Sequence, residues 1–401
     1  MIPSGFSAKG LSILVRNPLV QNEDVVGNFS DAVSGYSHVI SANGGYISAS
    51  FTIAGNNDFV ENWLQYGLGR HVVVYGPSLQ IIWEGYVNEV SGNLGSASFS
   101  RGPLSNIGNR VSVMYTPIFD RCPELGDPLY DADCVETGEP ITGSTTETPI
   151  EESADSQDRY GIWEKVLNIG DAYTEDAEYI RDLYLEENSI PEWNPSLSLS
   201  GNEGDVSVQV NCRGYIDWLS YVYNDESDSV SVLCSELIKT ILGYDPNGII
   251  STSYEMIEEN LAIHDSQTVE NKTAKTLIDD ILTIGGANND RWTFGIYANR
   301  RPIYTPIPTD LEYIYYKTGK IQEVETLSGN AVDPWDVAPC KWVAIPAILT
   351  GFSYKIEDLR NDPRAFFAEE VSFTAPDQVT ISGAKIRKLS QYMAKLGLGG
   401  I

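Results

Sequence analysis

The chain has 401 residues, of which 42% are apolar and 20% charged, a balance that suits a globular protein of several domains rather than a disordered or fibrous one. A formal net charge of −30 argues against a protein that grips nucleic acid by its phosphates. No apolar run approaches the roughly 18 residues of a membrane helix, and the opening MIPSGFSAKGLSILVRNPLV lacks a charged stretch followed by a long apolar core, so neither a membrane span nor a secretory signal is expected.

Residues 1–117 read as one β-rich domain. Leu11–Val15 and Tyr46–Ile53 are strands, the second placing Ile47, Ala49, Phe51 and Ile53 on one side. A helix over Asn57–Leu68 is capped by Asn56 or Asn57, has Phe59, Trp63, Leu64 and Tyr66 as its apolar side, and stops at Gly67 and Gly69. His71–Tyr75 is a strand. A long hairpin follows from Leu79 to Tyr115, with Leu79, Ile81, Trp83 and Gly85 alternating, a turn over Gly92–Gly95, and Ala97 and Phe99 alternating with serines. Arg101-Gly102-Pro103 makes a second turn. This order is that of a small barrel or sandwich carrying one helix.

Residues 118–200 form an acidic insertion. From 116 to 200 there are 21 acidic residues against four basic ones, Arg121, Arg159, Lys165 and Arg181, a local charge of −17. Thr, Ser, Glu and Pro dominate 138–158, which reads as a mobile loop. Ile162–Leu167 and Thr174–Leu185 read as short helices.

A repeat then emerges. Gly92–Gly95, a strand, Arg101-Gly102-Pro103-Leu104-Ser105 and Val111–Tyr115 are echoed by Gly201–Gly204, a strand, Arg213-Gly214-Tyr215-Ile216-Asp217 and Leu219–Tyr223. A second β-domain is therefore expected over 201–224 and 307–380, interrupted by an α/β domain over 225–306. That insert has helices over Ser231–Leu242 and Thr268–Ile284, a strand over Trp292–Tyr297, a turn at Arg300-Arg301-Pro302 and a return strand over Ile303–Ile307. Further strands are expected over Leu311–Tyr316, Ile321–Thr326, Trp342–Leu349, Phe352–Ile356 and Glu370–Phe373. Residues 381–401 end the chain in a basic amphipathic helix, Gly383–Leu396, with Ile386, Leu389, Met393 and Leu396 on one side and Lys385, Arg387, Lys388 and Lys395 mainly on the others. It reads as packing on its own core or on a neighbouring subunit.

No residue set announces chemistry. His38, His71 and His264 lie far apart in sequence, and His71, opening a strand, reads as packed. G-x-S-x-G, H-E-x-x-H and P-loop motifs are absent. Asp127, Asp131 and Asp133 lack the glycine and terminal glutamate of a calcium loop, and Glu151-Glu152, Glu186-Glu187 and Glu258-Glu259 are neighbours that point apart rather than a facing dyad. Arg300-Arg301 fits an anion or a plain hairpin turn. The five cysteines, Cys122, Cys134, Cys212, Cys234 and Cys340, contain no C-x-x-C pair and read as reduced thiols, with Cys122 and Cys134 able to pair across a loop. No catalytic, cofactor-binding or metal-ligating residue is assigned, and no enzyme activity is expected.

The strand Trp83-Glu84-Gly85-Tyr86-Val87, the Gly92–Gly95 turn, the strand ending near Gly102 and the hairpin GIYANRRPIYTPIP (Gly295–Pro308) together resemble bacteriophage tail proteins, specifically the baseplate hub at the tail tip. That resemblance implies a mainly β fold with α/β insertions, built on two tail-tube-like β-barrel or sandwich domains. It implies a homotrimeric ring that continues the tail tube, joins it to distal tail, tip or fibre and tape-measure proteins, and leaves a channel for DNA ejection. Such a protein is made in the host cytoplasm and resides in the virion, with no specific nucleic-acid binding. The other class that the Tyr and Trp content allows is a carbohydrate-binding adhesin of a virus or cell surface.

Overall fold

The computed structural model describes residues 11–384 apart from 22–23, 77–78, 95–96, 121–140, 198–205, 224–230, 265–271, 289, 308–310, 316–320, 324–341, 345–364 and 376–377. The first hundred residues carry β1 (Ser12–Arg16), β2 (Val25–Asn28), β3 (Val33–Ser41), β4 (Gly44–Ala54), α1 (Asn57–Tyr66), β5 (His71–Tyr75), β6 (Ile81–Leu94) and β7 (Ala97–Arg101). Next come β8 (Arg110–Phe119), β9 (Ile141–Thr142), β10 (Thr146–Glu147), β11 (Glu151–Glu152), α2 (Ala154–Tyr160), β12 (Glu164–Ala172), α3 (Thr174–Asn188) and β13 (Trp193–Leu197). The remainder supplies β14 (Ser207–Arg213), β15 (Val232–Leu233), α4 (Cys234–Gly243), β16 (Ile263–His264), α5 (Ala274–Ile284), β17 (Trp292–Tyr297) and β18 (Arg301–Pro306). It ends in β19 (Leu311–Tyr315), β20 (Ile321–Glu323), β21 (Trp342–Ala344), β22 (Ala365–Thr374) and β23 (Gln378–Ala384). No described helix is long and apolar enough to cross a membrane.

The chain divides into two compact units, one of residues 1–100 with 195–401 and one of residues 101–194. The larger unit is a mostly antiparallel sheet in the order β2-β1-β5-β6-β14-β4-β3-β22-β21-β19-β20, with β17–β18 and β23 attached at its sides. β14 lies between β6 and β4, and β22 pairs with β3. The 201–224 and 307–380 stretches thus add strands to the same sheet as residues 1–94. None of the described sheets closes into a barrel, because the end strands β2 and β20 each have one neighbour. The core behind this sheet includes Phe51, Ile53, Trp63, Trp83, Val90, Val208 and Val210, all nearly inaccessible.

Local chemistry explains most elements. The Asn56 side chain accepts the Phe59 N–H at 2.9 Å and caps α1, whose Val60, Trp63 and Leu64 are buried while Tyr66 points outward. Thr273 caps α5 in the same way, accepting from Thr276, so this helix starts at Ala274 rather than at Thr268. α4 starts at Cys234, and Val232–Leu233 form a short strand instead. The hairpin β17–β18 turns over Ala298–Arg300, where Asn299 and Arg300 take φ of 62° and 58°, so Arg301 and Pro302 already belong to the return strand.

The smaller unit is organised on β8. β12 runs parallel to it, while β9, β10 and β11 pair with it antiparallel. Two expectations fail here. Ile162–Leu167 is not a helix: residues from Glu164 onward form β12, and Leu167 and Ile169 pack towards Val113, Tyr115 and Ala177. A short apolar run fits both periods, and the open flank of β8 selects the strand. The 138–158 loop is not featureless either, since from Ile141 it lays three short strands along β8 and then forms α2. Backbone pairing on a strand edge tolerates a Thr- and Glu-rich sequence, and buried Thr148 completes it by accepting the Val113 N–H at 3.0 Å.

The proposed twin stretches share a local order: β7 and β14 both end in Arg-Gly, and each is followed by a 3-10 turn, over Leu104–Asn106 and Asp217–Tyr221. Both strands pair with β6, and β14 pairs with β4 as well. Gly201–Gly204, Phe352–Ile356, Asp127–Asp133, Cys122, Cys134, Cys340 and residues 385–401 lie outside the described residues. Gly383 and Ala384, expected at a helix start, close β23 instead.

Candidate functional site

Across six strands of the larger unit, the sheet face turned away from the core is built almost wholly of short polar side chains. Directly opposed residues share a face and stand about 5 Å apart. One row runs Gln378, Thr374, Ser37, Ser50, Asn211, Glu89. A second runs Thr380, Ser372, Val39, Ser48, Arg213, and a third Ser34, Thr52, Gln209, Ser91. All fifteen positions are half-buried or exposed. Among these fifteen Val39 alone is apolar and Glu89 and Arg213 are the charged residues, while Glu370, exposed two positions before Ser372 on the same side of β22, adds one more anion.

The alternation that makes this face is visible strand by strand. In β4, Ala49, Phe51 and Ile53 are buried while Ser48, Ser50 and Thr52 look the other way. A groove of about 360 Å³ lies at the centre of the face, lined by Ser37, Ser48, Ser50, Asn211, Glu89 and neighbours. Ser37 and Ser50 hydroxyls are 3.0 Å apart, and the Asn211 amide donates to Glu89 at 3.3 Å. A β-bulge at Asn88 offsets the β6–β14 register there.

Behind the groove the histidine and thiol are silenced. His38 is buried, its Nδ1 is 2.9 Å from the Tyr36 hydroxyl, and desolvation lowers its pKa from 6.5 to about 3. Burial pushes the Cys212 thiol far up. Neither group is poised for acid–base or nucleophilic work near neutral pH.

A second polar cluster centres on buried side chains. Glu84 is 3% exposed, and its Oε2 accepts the backbone N–H of Asn299 at 2.6 Å and that of Arg300 at 3.3 Å. Its Oε1 lies 3.4 Å from His71 Nε2 and 3.6 Å from Arg300 Nη1. His71 Nδ1 is 2.7 Å from the Tyr215 hydroxyl. Burial, aided by the Arg300 and Arg16 charges, lowers the His71 pKa to about 3, which keeps the ring neutral near pH 7 between Glu84 at Nε2 and the Tyr215 hydroxyl at Nδ1. Glu84, His71 and Tyr215 share one buried place with Arg300 at its edge, and Glu84 and His71 spend their polar atoms on each other, on Tyr215 and on the hairpin backbone. The cluster fastens the β17–β18 hairpin to β6.

The remaining sequence candidates scatter. His264 is buried in β16. Arg110 contacts Glu152 and Glu164 at 3.2 and 3.0 Å in the smaller unit, and Glu258 bonds the Thr305 hydroxyl. Cys212 and Cys234 are free and buried. Among the described residues no three His, Cys, Asp or Glu side chains converge as a metal site would require. Glu84 escaped sequence reading because Trp-Glu-Gly-Tyr on a strand looks like one wet residue between greasy ones. In the fold Ile82 to Asn88 are all buried, on both faces of β6.

No protein-family model matches this chain, and no curated protein matches it. Among solved structures it is similar to the 43 kDa tail protein of prophage MuSo2 from Shewanella oneidensis, at 7% identity, over 95% of this chain and 98% of that chain, with a TM-score of 0.39.

Proposed function

We propose that this chain is a structural, non-enzymatic component of a bacteriophage tail tip, a hub that assembles as a homotrimeric ring, continues the tail tube, contacts distal, tip or fibre and tape-measure proteins, and leaves a passage for DNA. The motifs resembling tail-hub proteins supply the starting point. The observation that carries the reading is the fifteen-position polar face. Hydroxyls and amides hold water and offer little apolar area to adsorb on, and the charges among them, Arg213 against Glu89 and Glu370, leave a slight negative excess. A polyanion meets nothing to bind on such a wall, and DNA would slide past it without being gripped. The acidic excess is elsewhere: residues 101–194 hold 21 acidic against six basic residues, half of the chain's net charge.

Among the described residues the end strands β2 and β20 each pair on one side only, and edges of that kind can pair with other chains. The adhesin alternative draws less support, because no Phe, Tyr or Trp lines the groove and sugar rings are held by aromatic faces. Light scattering and negative-stain electron microscopy of the purified chain test the proposal. A trimer or larger closed ring is expected, and a monomer at high concentration with no ring overturns it.

A further inference from the structure

We propose that the outer face of α3 is a docking surface for the basic C-terminal segment, residues 385–396, of a second copy of this chain. The helix has two apolar sides. Its inner side buries Ala177 against Val113 and Tyr115 of β8. Its outer side exposes Tyr179 (66%), Ile180 (37%) and Leu183 (39%), which one helical turn brings together as a strip. The three are neighbours on one helix face rather than scattered single side chains.

Around the strip Glu175, Asp176, Asp182, Glu186 and Glu187 are exposed. The one cation of the helix, Arg181, is turned inward, where it bonds Asp182 at 2.6 Å and the Pro149 carbonyl at 2.8 Å. The outer face is therefore an apolar strip inside a purely negative rim. Its complement is an amphipathic segment with apolar residues at helical spacing and positive flanks.

This chain contains such a segment. It has 26 basic against 56 acidic residues, yet from Gln378 to Ile401 there are four cations, Lys385, Arg387, Lys388 and Lys395, and no acid. Ile386, Leu389, Met393 and Leu396 recur within it at steps of three and four. Exposed ion pairs contribute little each, so the apolar strip supplies affinity and the charges supply register and orientation. The docking needs a second copy but no closed ring, so it stands independently of the tail-tip reading.

The test places a photo-cross-linking benzoylphenylalanine at position 179 of the full chain. Linked peptides from 385–396 are expected, on a species running at twice 44.2 kDa on a denaturing gel. The pair Lys388→Glu and Lys395→Glu is expected to cut that yield at least fivefold, and adding Glu186→Lys and Glu187→Lys to restore it. Links to another segment, links confined to the single-chain band, or a yield indifferent to charge reversal overturn the proposal. A ring seen by microscopy without this link removes the docking and leaves the tail-tip reading standing, and a link without a ring does the reverse.

Discussion

Glu84 Oε2 and the Asn299 backbone N–H meet at 2.6 Å, across 215 residues of sequence. The contact joins the middle of β6 to the tip of a hairpin whose Asn299 and Arg300 are both held at positive φ. Such backbone costs energy unless its N–H groups are satisfied, and the Glu84 carboxylate satisfies both. Removing it leaves buried His71 without its Nε2 partner and the two hairpin amides without their acceptor.

Glu84→Ala is therefore expected to destabilise the larger unit by about 3 kcal/mol, and Glu84→Gln, which retains one acceptor, by about half of that. Urea unfolding followed by tryptophan fluorescence measures the loss. Hydrogen exchange should localise it to amides 298–301, and an unchanged exchange rate there would refute the hairpin-fastening role.

The two neutral histidines predict an acid-side weakness. His38 and His71 have pKa values of about 3 in the fold against 6.5 in a free chain. Below pH 6.5 the unfolded chain takes up protons that the folded chain refuses, so stability falls as pH drops from 6.5 towards 3. Each group contributes at most about 1.4 kcal/mol per pH unit. Carboxylates titrate in the same window, so the informative quantity is the difference between wild type and His38→Gln. The variant's urea midpoint should fall less steeply from pH 6.5 to pH 4, and parallel curves would show that His38 is charged in the fold.

In the smaller unit, Asn109 ties three segments together. Its Nδ2 donates to the Ser156 hydroxyl at 3.0 Å and the Gly161 carbonyl at 2.7 Å, while Oδ1 accepts the Trp163 N–H at 2.8 Å. The residue is inaccessible to water. Asn109→Ala should cost about 3 kcal/mol, because buried partners are left unsatisfied. The same fluorescence experiment should register it through Trp163. Asn109→Asp keeps the acceptor but loses both donated bonds and sets a buried carboxylate against the Gly161 carbonyl, so it should cost at least as much as Asn109→Ala.

α1 was legible because Asn56 caps an apolar period that stops at Gly67, and β5 and β17 because each is a short apolar run bounded by turns. Glu84 and Asn109 were hidden for a different reason. Each is a single polar residue whose meaning depends on partners brought in by the tertiary fold, and nothing in its own neighbourhood marks it as buried. The polar face was half legible. Ser48, Ser50 and Thr52 alternate plainly within β4, but the rows from Gln378 to Glu89 exist only once β22, β3, β4, β14 and β6 lie side by side. Ile162–Leu167 was misread because six residues with four apolar side chains do not distinguish a helix from a strand.

The same face supplies a prediction that separates solvated from packed. If Ser50 and Thr52 face water, replacing both with Leu removes no buried contact, and stability should stay within about 0.5 kcal/mol of wild type. The substitution would instead put two large apolar side chains in the middle of a hydrated sheet face, next to Ser37, Asn211 and Gln209. Surfaces of that kind associate. Dynamic light scattering should show concentration-dependent growth absent from wild type, and an apolar dye should brighten on the variant while its urea midpoint holds. A loss of 2 kcal/mol or more with no added association would mean that another part of the chain packs on this face, and the wetted-wall argument would fall with it.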